Sequence, residues 1–458
     1  MKKGLLLFVS LALAVVACSN NTQSNKSSSS KEPVDPSYKK TTLKVESSYD
    51  GEEEREYELT FAYKDSLFAG KTSEFNNDLA MLSYGMSVAT EEKEMLVKFN
   101  KDLGFTNTEY ASEYDEKPKV KGVGYGFATK YVGDYNLVAV AVRGFNYRVQ
   151  WVDNFNVGTE GDHLGFSESA DLVIEALNTY VGKIKNSKPT KLWIAGYSRG
   201  GAIANVMSSK ILTDTEAKFN RDNMYAYTFE APRGLTQEHA IAYENVFNIV
   251  NPGDVFTRVC PEEYGLYRCG IDVDIYDKNV DALIKAFDDK AVIPELSTSI
   301  LYKDDVQWAK YFIQCLLAGD EPEEGERNWS ASTRELYNLN YGDDLRYIII
   351  MINAAEDVTL MDFILSFQGM SATEIASYFI GTAAGFVMLV TSILDDLKVA
   401  YDEGELTEVL MELYNYVSKP TVALALASLL SKDTGARMIA MHKPDTTYIL
   451  LNAYINKE

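Results

Sequence analysis

From Leu43 to Tyr63 polar and apolar residues alternate around an acidic turn at Asp50-Gly51-Glu52, a period of two that predicts a β-hairpin. From Asn77 to Ala89 the period lengthens, and Leu79, Met81, Leu82 and Met86 share one side, which predicts a helix. Residues 120–131 and 137–142 read as neighbouring strands, and 166–184 as a long amphipathic helix. Short apolar runs at 192–195, 224–229 and 246–250 read as buried strands. Strands of this kind, alternating with helices, predict an α/β fold built on a mostly parallel sheet with flanking helices.

From about Asp277 to Ser431 the strand pattern disappears. Helical runs follow one another at 306–318, 345–355, 359–367, 371–400, 406–417 and 421–430. The pattern predicts a large helical cap insertion at 277–431, between a first part of the core at 41–276 and a last strand in 432–458. Residues 375–394 carry no charge over the length of a membrane span. Ser377, Gly381, Thr382, Gly385, Thr391, Ser392 and the bounding Glu374 and Asp395-Asp396 favour a buried or substrate-facing cap helix instead.

The first segment reads as an address. Met1-Lys2-Lys3 precedes an apolar run from Leu5 to Ala17 broken only by Ser10, the order of a signal peptide. Small residues then lead into Cys18, which resembles the lipobox of bacterial lipoproteins. The resemblance implies cleavage after residue 17, lipidation of Cys18 and an extracytoplasmic, membrane-anchored protein. Residues 18–40 are Ser/Asn/Lys/Pro-rich and predict a flexible linker, whose ~19 central residues reach roughly 25 Å.

Charge narrows the partners. The 458 residues include 44 Lys+Arg against 67 Asp+Glu, a net −23, which repels phosphate backbones and argues against nucleic acid. With 3 His and 4 Cys and no Cys-x-x-Cys spacing, neither a metal site nor a cofactor is expected.

The chemistry centres on Ser198. Lys191-Leu-Trp-Ile-Ala195 reads as a strand, followed by Gly196-Tyr197-Ser198-Arg199-Gly200-Gly201 and a helix-forming run. Gly-x-Ser-x-Gly between strand and helix presents a hydroxyl on a strained turn, the nucleophile elbow of α/β-hydrolase-type folds. A serine needs a base oriented by an acid, and in those folds the order is serine, acid, histidine. His163 precedes the serine. His239 lies in 236–244, which reads as a surface helix. His442 follows the apolar run 438–441 and is the expected base, on a loop leaving a last strand. Asp254 follows the strand 246–250 through Pro252-Gly253 and is the expected acid, with Asp272 and Asp274 as alternatives. The oxyanion hole is expected from the N–H groups of Arg199 and of Phe145, with Asn146 nearby. Cys260 and Cys269 flank the loop after Asp254, where an oxidising location permits a disulfide; separate buried thiols are the alternative.

At these residues the chain resembles the class 3 lipases, the family of the fungal triacylglycerol lipases. The resemblance runs through Arg143-Gly144, Trp151-Val-Asp-Asn154, His163-Leu-Gly-Phe166, the elbow at 196–201, Ala231-Pro-Arg233, Asp254 and His442. It implies a Ser–His–Asp hydrolase of carboxylic esters acting on a small ester or lipid, with His163 structural. Arg199 replaces the family's usual aliphatic residue, and Phe145 a small hydroxyl residue. An acyl-polysaccharide esterase and a non-catalytic surface binding protein on the same scaffold are the competing readings.

Overall fold

The computed structural model describes residues 35–47, 49, 55–114, 121–145, 150–214, 219–260, 262, 265–294, 296, 304–318, 342–355, 358–367 and 369–457. The signal segment, Cys18 and most of the linker lie outside them. Residues 37–458 form one compact unit.

Seven strands form the main sheet in sequential order: β3 (Thr106–Tyr110), β4 (Tyr125–Val132), β5 (Tyr135–Val142), β6 (Thr190–Tyr197), β7 (Met224–Phe229), β8 (Val246–Val250) and β9 (Ile271–Asp274). β3 to β5 pair antiparallel, and β5 to β9 pair parallel. The expected hairpin is present as a separate two-stranded sheet, β1 (Lys39–Glu46) and β2 (Glu56–Tyr63), with Leu43 opposite Leu59.

Residue parity divides the core. Val138, Val140, Val142, Leu192 and Ile194 face α4 (Leu164–Gly182) and α5 (Ser198–Thr213), meeting Phe166, Val173, Ile203 and Val206. The alternate residues Leu137, Ala139, Trp193, Ala195 and Tyr197 face the other way. They meet α1 (Asn77–Val88, followed along the chain by α2, Lys93–Asp102, and α3, Trp151–Asn154), the hairpin and the helix Pro444–Ile455. A strand covered on both faces has little reason to carry polar residues, which accounts for its unbroken apolar runs.

The helical segment has its own core, in which Ile352, Ile375, Leu394, Leu406, Leu410 and Ala423 are buried together. A smaller cluster of Val255, Trp308, Phe312, Ala425 and Met438 ties α7 (Asp305–Ala318) to the turn after β8 and to the helix Lys432–Met441. Arg437 adds a polar tie, bonding Asp281 at 2.7 Å and Asp305 at 2.9 Å.

Three expectations are corrected. The run 375–394 is not one helix but two, Ala372–Ile380 and Ala383–Asp396. The break falls at Gly381, and the Thr382 hydroxyl caps the second helix by accepting from the Gly385 N–H at 3.1 Å. Among the described residues, 432–457 contain no strand: Lys432–Met441 and Pro444–Ile455 are helices. A four-residue apolar run does not distinguish strand from helix, and Ala and Met favour helix. Residues 236–244 form turns rather than a helix.

Candidate active site

Ser198 occupies the turn between β6 and α5 with φ +51°, a region that L-residues seldom adopt. The turn is too tight for side chains. A Cβ on Gly196 would lie 2.3 Å from the Gly200 carbonyl oxygen, and one on Gly200 would lie 2.4 Å from that of Val142. Ser198 is 8% exposed, and its hydroxyl stands 2.7 Å from His442 Nε2. On the other side of the ring, His442 Nδ1 lies 2.5 Å from Asp254 Oδ2. Serine, histidine and aspartate are thus joined in one line of hydrogen bonds.

Asp254 is placed by the turn after β8. Its Oδ1 accepts the Phe256 N–H at 2.9 Å, capping a short helical turn and leaving Oδ2 to meet the imidazole. Burial pushes this carboxyl's pKa up, while His442 and the Phe256 N–H pull it back. The alternative acids are engaged elsewhere. Asp272 pairs with Arg268 at 2.6 Å, and Asp274 accepts the Tyr276 N–H at 2.8 Å.

His442 is the C-cap of the helix Lys432–Met441 rather than the loop after a strand. Three tyrosine hydroxyls hold its segment. Tyr197 donates to the His442 carbonyl at 2.9 Å, Tyr84 donates to the Pro444 carbonyl, and Tyr49 bonds the Thr446 hydroxyl. Tyr197 can reach because its parity points it toward the helix Pro444–Ile455.

The two segments expected to supply oxyanion donors lie against the same turn. Arg199 is in the first turn of α5, where backbone N–H groups have no helical acceptor. Gly144 is so close to the elbow that a Cβ would lie 1.8 Å from the Tyr197 carbonyl oxygen. The Phe145 ring stacks on Tyr197 with centroids 4.8 Å apart. Asn146 lies outside the described residues. The Arg199 guanidinium is buried, 3.0 Å from Ser169 Oγ and 3.5 Å from Asp153 Oδ2. Burial nonetheless pushes the Asp153 carboxyl up to about 6, and Arg199 offsets this only in part.

The other histidines have partners of their own. His163 is buried, caps α4 through Nδ1 and stacks on Phe166 at 3.8 Å. His239 is half exposed and pairs with Asp162 at 2.9 Å. The expected disulfide is not formed: Cys260 and Cys269 are both buried and are not bridged to each other. The Cys269 thiol instead faces the Asn205 carbonyl at 3.4 Å, turned into the α5 side of the sheet. Among the described residues no His, Cys, Asp and Glu side chains gather as a metal site, and no helix is long and apolar enough to cross a membrane.

One residue beside the triad escaped the sequence reading. Glu230 follows β7 with φ +46° and is fully buried. Its Oε2 accepts the Asn251 N–H at 2.9 Å, and its Oε1 meets the Thr447 hydroxyl at 3.1 Å. A charged residue directly after six buried strand residues was the available signal.

The parallel sheet, the elbow, an acid after β8 and a late histidine together define an α/β-hydrolase fold. Within it, residues 139–264 match the lipase (class 3) family, an interval that contains Ser198 and Asp254 and ends before His442. No curated protein matches the chain. Among solved structures, lipase II of Rhizopus niveus is 16% identical, with 43% of this chain and 79% of that one covered and a TM-score of 0.33. The Rhizomucor miehei triacylglyceride lipase is 15% identical, with 45% and 83% covered and a TM-score of 0.34. The Yarrowia lipolytica lipase is 14% identical, with 43% and 77% covered and a TM-score of 0.31.

Proposed function

We propose that this protein is a serine hydrolase of carboxylic esters, exported and held at the bacterial cell membrane through a lipid on Cys18. The observation that carries the hydrolase reading is the 2.7 Å approach of His442 Nε2 to Ser198 Oγ, with Asp254 on the far ring nitrogen. In this reading His442 takes the serine proton as Oγ attacks the ester carbonyl carbon. Asp254 holds the ring orientation and stabilises the imidazolium. The N–H groups of Arg199 and Phe145 receive the oxyanion. His442 then protonates the departing alcohol, and a water deprotonated by the same ring releases the acid from the acyl-enzyme. The helices of 277–431 supply an apolar surface for the acyl chain.

Turnover of short and long p-nitrophenyl esters tests the reading. Wild-type protein is expected to hydrolyse at least one series and to label with a fluorophosphonate. Ser198→Ala is expected to lose both while staying folded. Neither turnover nor labelling in the wild type would favour a binding protein instead. The anchor has a separate test: Cys18→Ala is expected to move the protein from the membrane fraction to the soluble extracytoplasmic fraction.

A further inference from the structure

We propose that Glu230 is a positioning residue that keeps its proton at neutral pH, heading a hydrogen-bond chain through Thr447 and Tyr197 that fixes the backbone of His442. The inference rests on the assignment of His442 as the base.

The argument is a count of protons. The His442 carbonyl oxygen can only accept, so the 2.9 Å contact from Tyr197 uses the single phenolic hydrogen. The 2.8 Å contact between Tyr197 and Thr447 must then take its hydrogen from Thr447. Thr447 has no second hydrogen, so its 3.1 Å contact with Glu230 Oε1 needs a hydrogen from the carboxyl. Oε2 remains free to accept the Asn251 N–H at 2.9 Å. A protonated Glu230 therefore satisfies all four contacts. An ionised Glu230 leaves one of them as two oxygen lone pairs facing each other inside the protein, which is costly where water cannot intervene.

The surroundings agree. Glu230 has no solvent exposure. Burial and the nearby Asp254 carboxyl push its pKa well up, and the Asn251 N–H and Arg268 only partly oppose them. The groups facing it are Asp254 after β8, Tyr197 on β6, Tyr84 on α1 and Arg268 before β9. Arg268 is itself engaged by Asp272 at 2.6 Å and by the Ala231 carbonyl at 2.8 Å. A neutral Glu230 also leaves Asp254 as the carboxylate that the imidazolium meets.

Infrared difference spectroscopy of the full-length protein at pH 8, wild type against Glu230→Gln, is expected to show a protonated carboxylic acid band that the variant lacks. Glutamine retains one donor and one acceptor, so Glu230→Gln is expected to keep kcat within ~3-fold. Glu230→Ala is expected to lower kcat by ~10-fold with KM little changed. Melting curves give the sign. A carboxyl that holds its proton in the folded state but loses it on unfolding makes stability fall as pH rises above the unfolded value. Glu230→Gln is therefore expected to melt higher relative to the wild type at pH 8 than at pH 4. Absence of the band, or a variant that loses ground at pH 8, overturns the proposal. If Glu230→Gln does not fold, Thr447→Val is read instead: removing the acceptor is expected to shift the band, and an unshifted spectrum overturns the proposal. A wild type without turnover would sink the hydrolase reading yet leave the band and the melting curves able to decide Glu230's protonation.

Discussion

The Tyr197 hydroxyl donates to the carbonyl oxygen of His442 across 2.9 Å, so the residue before the elbow serine holds the backbone of the imidazole that serine meets. One side chain thereby couples the end of β6 to the last turn of the helix Lys432–Met441. Tyr197→Phe keeps the ring packing and removes the donor. It is expected to destabilise the protein by about 1–3 kcal/mol in urea denaturation, because a buried carbonyl loses its partner. Ester turnover is expected to fall roughly 10-fold in kcat, with little change in KM.

Gly144 tests the proposed oxyanion hole without touching the triad. An alanine Cβ would lie 1.8 Å from the Tyr197 carbonyl oxygen, so the segment carrying Phe145 must retreat from the elbow. Gly144→Ala is expected to lower kcat about 10²- to 10³-fold, the effect of removing one oxyanion donor. Far-ultraviolet circular dichroism is expected to match the wild type. Undiminished turnover in a folded variant would place the second donor elsewhere.

Asp153 gives a pH-dependent signature. Its carboxyl, raised to about 6 by burial, holds a proton that the unfolded chain releases at lower pH. The sign follows from linkage: this contribution is fully present below the unfolded value and is lost as pH rises through about 6. Across roughly pH 4 to 7 the loss is on the order of 1–3 kcal/mol. Asp153→Asn removes this titration. The melting temperature of the wild type minus that of the variant is expected to fall over the same interval, and a flat difference would contradict the shift.

Arg437 ties the segment leading to His442 onto α7 and α6 (Val280–Phe287). Its side chain is buried with that of Asp305, whereas Asp281 is exposed. Arg437→Ala leaves the Asp305 carboxylate without its partner, which is expected to cost about 3–5 kcal/mol in chemical denaturation. Replacing both Arg437 and Asp305 with apolar residues of similar volume is expected to recover most of that loss. A single-site effect below ~1 kcal/mol would show that this pair does little to hold the helix.

The sheet and the hydrogen-bonded line through Ser198, His442 and Asp254 were legible because each sits at a local signal. Buried strands announce themselves as apolar runs, and an elbow serine sits between glycines. Asp254 follows a Pro-Gly turn. The C-terminal helices were misread because Met438-Ile-Ala-Met441 is too short to show a period, and its burial is divided. Met438 faces α7, whereas Ala440 and Met441 face the sheet. Glu230 was missed because nothing near it in the chain carries its partners. Thr447 lies 217 residues away, and only the folded sheet brings the two together. The single uncharged run over 375–394 concealed its break because its small and polar residues mark a helix that does not span a membrane as readily as they mark the cap that Thr382 makes to the Gly385 N–H.

The helix Pro444–Ile455 closes one side of the sheet, and the residues it covers, from Leu79 to Phe247, are made long before it. During synthesis the part of that greasy face left open by α1 and the hairpin has no cover until residue 455 has emerged. Closure then comes from distant pairings, which form slowly and leave a half-made molecule prone to sticking to its neighbours. The same late segment delivers the imidazole, so shielding the interior and assembling the reactive centre happen in one event.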